Sequence, residues 1–160
     1  MSILDDEKVF THKMEHPFES EVKSWIKEML PYLSEQDYEI KFNVYGKQYG
    51  NIFIQHKEIP TITIKNKDVV LSGYPNNRLP EYIHFGEIIG GSFICSHSKL
   101  TSMYGFPKVV GRVFDCSYCP GLTSLESAPL LVDRDFVVIG NRFNESDIRK
   151  HCQITGKVYC

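Results

Sequence analysis

Cys116 and Cys119 carry the spacing most suggestive of chemistry in this 160-residue chain, a C-x-x-C motif shared by zinc ribbons and thiol redox sites. A structural zinc ion needs four ligands, and the nearby candidates for a second pair are His97, His151 and Cys152. A redox motif opens a helix in a thioredoxin-like unit, whereas Cys119 falls in a predicted turn. A small zinc- or thiol-dependent factor is therefore an alternative function, and the preferred interpretation needs no metal and no cofactor.

Other residue groupings indicate less chemistry. His12 and His16 are spaced like two ligands on one helical face, but the sequence between them is not the H-E-x-x-H of metalloproteases. Pro17 indicates that a helix only begins there. The Gly90-Gly91 pair lacks the lysine and hydroxyl residue of a phosphate loop, and no G-x-S-x-G nucleophile motif occurs. We therefore predict that the chain is not an enzyme.

Residues 90–110 and 111–132 are two copies of one repeat, 21 to 22 residues long. Weaker copies flank this pair, beginning near residue 66 and ending near residue 150. Degraded end copies are expected, since an end repeat has a neighbour on one side only. The positions that agree are Phe93 with Phe114, Cys95 with Cys116, Ser96 with Ser117, Leu100-Thr101-Ser102 with Leu122-Thr123-Ser124, Pro107 with Pro129, and Val110 with Val132.

The repeat predicts a β-solenoid, because alternate residues of its Phe-x-Cys segment share one face of a strand. Phe93 and Cys95 would point inward together, and the next copy repeats the arrangement. Successive coils would then stack phenylalanine on phenylalanine and cysteine on cysteine. An inward cysteine is expected to be inert, although a pairing of Cys95 with His84 or His97 stays open.

This pattern resembles the leucine-rich-like repeats of tailed-bacteriophage proteins, which run close to V-G-G-x-F-x-C-S-x-N-x-L-T-S-L-E-G-x-P. The match is carried by residues 90–96, 100–102 and 116–126. The chain departs from the pattern at its asparagine, where His97-Ser98 and Tyr118-Cys119 stand instead. The resemblance implies a short solenoid and a viral origin, and it implies no catalytic residues.

The N-terminal half predicts a helix followed by a small antiparallel sheet. Apolar residues recur at helical spacing over residues 17–33. The pattern then changes to the alternation of strands at 38–44, 52–54 and 62–64, with Pro60 as an interruption at a sheet edge.

A polar residue followed by an acidic and then a basic turn predicts a short helix over residues 144–152, placed to cap the open end of the array. The predicted fold class is α+β. Residues 1–65 would form an N-terminal helix and β-sheet domain, and residues 66–160 a leucine-rich-like β-solenoid domain with a C-terminal capping helix.

Composition bounds the partners and the location. A net charge of -2 and a pI near 6.3 argue against a protein built to bind nucleic acid or an anionic membrane. The acidic N-terminus does not resemble a secretory signal, and no apolar run is long enough to cross a bilayer. We expect a cytoplasmic protein, in the host cytoplasm if it is viral, whose five cysteines are free thiols.

These features favour a non-enzymatic protein-protein interaction module. Early phage proteins of this size and charge are often inhibitors or redirectors of host enzymes, and by size and character the chain is similar to phage-encoded inhibitors of the host ATP-dependent protease Lon. A host protein is therefore the expected partner, with Tyr82, Tyr104 and Tyr118 as its anchors on predicted loops. Self-association into a homodimer through exposed sheet edges is a further alternative.

Overall fold

The computed structural model of the chain describes residues 18–49 and 51–160, with side chains at 18–41, 51 and 60–160. His12, His16 and Pro17 lie outside the described residues. The described residues fold into a β-solenoid of about four turns with two helices. Its elements are α1 (Glu19–Met29), β1 (Tyr38–Tyr49), β2 (Ile52–Lys65), β3 (Val69–Val70), β4 (Phe85–Ile89), β5 (Phe93–Ile94), β6 (Val109–Val110), β7 (Phe114–Asp115), β8 (Leu131–Val132), β9 (Phe136–Val137), α2 (Glu145–His151), β10 (Gln153–Ile154) and β11 (Val158–Tyr159).

Two sheets form two sides of each coil. The first sheet has the order β1-β2-β4-β6-β8-β10, and the second has the order β3-β5-β7-β9-β11. All pairs are parallel except β1 with β2, because each coil returns the chain to the start of the same side. A turn of three residues separates the strands of a coil, and a longer segment closes it.

The inward ladders follow the predicted repeat. Phe93 is in register with Phe114, and Phe114 with Phe136. The Phe93 and Phe114 rings stack with centroids 6.1 Å apart, the Phe114 and Phe136 centroids are 4.8 Å apart, and all three side chains are buried. Aromatic pairs at these separations add attraction to the apolar surface that they bury. The predicted stacking of phenylalanine on phenylalanine is confirmed.

The cysteine ladder departs from the prediction of free thiols, because a disulfide joins Cys95 to Cys116. The two residues occupy the same position in successive coils, and their Cα atoms are 4.9 Å apart. Parallel strands impose that spacing, and it also lies within the range that a disulfide spans. Stacking alone therefore brings the two sulfurs together. The free cysteines are Cys119 and Cys152, which are buried, and Cys160, which is exposed.

Helix α1 ends at Met29, and Pro31 follows two residues later, where a proline disfavours further helix. Its buried residues join the same core cluster as the coils, and the Trp25 ring meets the Phe85 ring edge-on at 6.1 Å. The predicted domain boundary after residue 65 coincides with the end of β2, and the pairing of β2 with β4 carries the first sheet across it. A division into two domains at this point stays a prediction.

The sequence predicts an interruption at Pro60, and this prediction is wrong. Strand β2 runs through Pro60 as one strand. On one side Pro60 is paired with Phe42 of β1. On the other side β4 is in register only from Ile62 onward. The missing N–H of Pro60 therefore removes no bond to β4, since the strand is locally an edge there.

Helix α2 forms where the sequence predicts it, and the side chain of Asn144 caps it by accepting from the N–H of Asp147 at 2.9 Å. It does not close the end of the array. The chain continues past it into β10 and β11, which add a further rung to each sheet. The helix therefore replaces the closing loop of the last coil.

Candidate binding face

The third side of the solenoid consists of the segments that lead from the second sheet back to the first. We call it the loop face, and it comprises residues 74–84, 98–108, 119–130 and 141–152. The earlier segments are extended loops in successive coils, and the last contains α2. Hydrogen bonds between neighbouring segments hold the face together, for example from the N–H of Thr101 to the carbonyl of Asn77 at 2.7 Å.

The starts of the last three segments are occupied by a column of polar side chains, Ser98, Cys119 and Asn141. The amide of Asn141 donates to the carbonyl of Cys116 at 2.9 Å and accepts from the N–H of Cys119 at 3.1 Å. One coil earlier, the thiol of Cys119 donates to the carbonyl of Cys95 at 3.2 Å. Cys119 thus makes the contact that asparagine makes in the next coil, which gives it a structural role.

The other residues considered as zinc ligands lie apart in the fold. His97 is exposed on a turn, while His151 is on α2 and Cys152 follows it. Burial raises the pKa of the Cys152 thiol to about 11, so it is protonated at neutral pH and is a poor ligand or nucleophile. Within the described residues, no three His, Cys, Asp or Glu side chains come together in a way that could hold a metal ion.

Tyr104 is held in place by three partners on the preceding coil. Its hydroxyl donates to the carbonyl of Glu81 at 3.0 Å and lies 3.0 Å from Nε2 of His84. The guanidinium of Arg78 lies 5.5 Å from the centre of the Tyr104 ring, and it also pairs with the Glu81 carboxylate at 2.9 Å. We call these four residues the tyrosine cluster. These contacts hold the Tyr104 ring beside the Arg78 guanidinium.

Tyr82 lies beside this cluster. It stands between Glu81 and His84 in the sequence, and its ring stacks parallel to that of Phe18 with centroids 6.4 Å apart. Tyr82 is half-buried against the core, whereas Phe18 is exposed. The structure therefore brings two of the three predicted anchors, Tyr82 and Tyr104, onto neighbouring segments of the loop face.

Tyr118 lies elsewhere, at the corner where the second sheet turns into the loop face. Its ring stacks on His97 at 4.9 Å, and it is 50% exposed. Both residues have positive φ, as do Gly73 and Gly140 at the same corner of the flanking coils. At Gly140 the choice of glycine has a second reason, because a Cβ there would lie 2.6 Å from the Tyr118 ring.

A groove of about 670 Å³ lies at the other end of the loop face, and the sequence analysis did not identify it. Its walls are the extended segment 123–130 and helix α2. Extended segments stack at about 4.8 Å, but a helix with its side chains is about 10 Å across and cannot approach so closely. The groove is the gap that results. The signal in the sequence was a helical pattern at 144–152 within an array of extended loops.

Comparisons with known protein families, with curated proteins and with solved structures find no match for this chain. Among the described residues, neither helix is long and apolar enough to span a membrane.

Proposed function

We propose that the chain is a non-enzymatic protein-binding module that docks a partner through its loop face. The tyrosine cluster is the observation that carries this proposal. Tyrosine and arginine are enriched in the few residues that dominate binding energy at protein interfaces. Here both are partly exposed and already make contacts within the chain, so less side-chain entropy is lost when a partner binds.

We further propose that the coils are leucine-rich-like repeats of the tailed-phage type. Asn141 supports this assignment, because it stands at the asparagine position of that pattern and bonds the backbone of the preceding coil through both amide atoms. A viral origin makes a host protein in the host cytoplasm the expected partner. The ATP-dependent protease Lon is the specific candidate, on the similarity of size and character noted above.

The test measures inhibition and binding together. Purified chain is added to Lon degrading casein with ATP, and the affinity of the chain for Lon is measured by biolayer interferometry. Replacing both loop-face anchors, Tyr82→Ala with Tyr104→Ala, is expected to weaken binding about 30-fold, the size of loss typical of interface anchors. Near-UV circular dichroism checks that the double variant keeps its tertiary packing.

Tyr118→Ala is the matched control, since it removes a more exposed tyrosine at a different corner. It is expected to change the affinity by less than about threefold, as most non-anchor residues do. An equal loss in both variants would overturn the assignment of binding to the loop face. Absence of binding to Lon would remove that partner. Cross-linking in bacterial lysate that returns no partner sensitive to the Tyr82 and Tyr104 changes would remove the binding function.

A further inference from the structure

We infer that the groove between residues 123–130 and α2 binds an acidic peptide segment that carries a large apolar side chain. This inference rests on the proposed function, because it assigns part of the partner's chemistry to one end of the loop face. It concerns a different set of residues from the tyrosine cluster, so the two can fail separately.

Several of the side chains that line the groove are apolar. Leu125 and Ala128 are buried in the floor, and Phe143 is half-buried beside them. Leu130 lines the groove and is 60% exposed, more than any other large apolar side chain in the described residues. An apolar side chain entering the groove would cover Leu130 and remove that surface from water.

The charged side chains that line the groove determine which charge the bound peptide should carry. Lys108 and Arg142 line it, and neither forms an ion pair within the described part of the chain. Of the two lining carboxylates, Asp147 is already engaged, since it accepts from the Asn144 amide at 2.9 Å and lies 3.9 Å from Lys150. With Lys150 offsetting Asp147, the remaining charges are the two cations Lys108 and Arg142 against the one carboxylate of Glu126, a net charge of +1 that favours an acidic ligand.

His151 also lines the groove. Its Nδ1 lies 3.1 Å from the carbonyl of Asp147, to which it donates. This contact fixes the ring on the helix. The groove lies between a piece of extended backbone and a helix, a setting that suits a peptide segment.

The experiment is a nuclear magnetic resonance titration of the ¹⁵N-labelled full chain with two matched peptides. One is acetyl-Glu-Glu-Leu-Phe-Glu-Glu-amide, and the other replaces every glutamate with lysine. The acidic peptide is expected to saturate the groove amides with a sub-millimolar Kd, and raising the salt to about 0.5 M should weaken it several-fold because these charges are exposed. The basic peptide is expected to bind at least about tenfold more weakly.

Two variants test the residues. Lys108→Gln with Arg142→Gln should weaken the acidic peptide at least fivefold, whereas Lys99→Gln with Lys157→Gln removes the same charge outside the groove and should weaken it less than twofold, as screening at a distance predicts. Leu130→Ser should weaken it about tenfold through lost apolar contact.

Three results would overturn the inference: no saturation by about 5 mM peptide, equal binding of the two peptides, or amide shifts centred outside the groove. A chain that fails in this way but still needs Tyr82 and Tyr104 to bind its partner would keep the proposed function and lose only the groove. A chain whose groove binds the peptide while neither tyrosine affects any partner would lose the proposed loop-face anchors instead.

Discussion

The middle coils and the first coil perform the same stacking with different residues. In the middle coils the inward column contains Phe93, Phe114 and Phe136, and each ring has a coil above and below it. In the first coil the same column holds Val69, paired with Phe93 on one side only. The first coil therefore obtains part of its stability from residues outside the array.

Tyr32 supplies part of what the first coil lacks. Its hydroxyl donates to the carbonyl of Asp68 at 2.8 Å and accepts from the N–H of Val70 at 2.9 Å. These are the backbone groups that β3 would offer to a preceding strand, so one phenol satisfies an edge that another coil would otherwise cover. Burial of the Tyr32 hydroxyl raises its pKa. The middle coils stabilise one another through repeated contacts, whereas the first coil depends on a contact that occurs once, that of Tyr32.

The largest expected effect on stability distinguishes the middle coils from the first coil. Phe114→Ala would leave a cavity between two buried rings and should lower the free energy of unfolding by about 4 kcal/mol. Val69→Ala removes fewer atoms at an end and should cost less than half as much. Urea unfolding followed by circular dichroism measures both, and equal losses would contradict the distinction between middle and end.

The disulfide is the next largest effect and belongs to the middle coils alone. Closing a loop with a sequence separation of 21 is expected to contribute about 3 kcal/mol in the chain-entropy description. Unfolding free energies with and without dithiothreitol should differ by about that amount, and the difference should vanish in Cys95→Ser. Thiol titration of the denatured, unreduced protein should find the three free cysteines, and a result of five would contradict the pairing.

A smaller effect on stability compares Asn141 with Cys119, which occupy equivalent positions in successive coils. Asn141→Ala removes two hydrogen bonds and should cost about 2 kcal/mol. Cys119→Ala removes the weaker hydrogen bonds of a thiol, to Cys95 and Ser98, and should cost about 1 kcal/mol. Cys119→Asn restores the repeat pattern and should unfold at the same urea concentration as the parent or a higher one. A clear loss of stability in Cys119→Asn would show that positions 119 and 141 are not equivalent.

Tyr32→Phe is the smallest effect and tests the first coil directly. It keeps the ring but removes both hydrogen bonds of the hydroxyl, to Asp68 and from Val70. Because both bonds are exposed and water can replace the lost partner, the change should cost only about 1 kcal/mol. Tyr159→Phe is a matched control, since Tyr159 is similarly exposed and its hydroxyl has no partner among the described residues. Hydrogen exchange at the Val70 amide should accelerate in Tyr32→Phe and stay unchanged in the control.

Features that recur in the sequence were predictable, and features that occur once were not. The Phe93 and Phe114 register followed from the repeat, and α2 followed from the cap at Asn144. The contact of Tyr32 with β3 joins residues 36 and 38 positions apart and has no periodic signature. Its existence depends on the path of one connecting segment, which local patterns do not determine.

The candidate site divides in the same way. The loop positions of Tyr82 and Tyr104 were predictable, but their separation from Tyr118 was not, because Tyr118 lies in the turn that precedes the loop face, where its ring stacks on His97. The disulfide was missed because the compartment was used to assign the cysteines, whereas the strand spacing places Cys95 beside Cys116 in any compartment. The groove depends on a difference in width between helix and loop, which appears only when the two are stacked.

The coil of 21 to 22 residues has an evolutionary consequence. Because each middle coil meets its neighbours through the same columns, duplication of one repeat would lengthen the loop face by one rung, about 4.8 Å, without displacing contacts in the other coils. Loss of one repeat would shorten it by the same step. The distance between the tyrosine cluster and the groove can therefore change only in whole increments of one coil.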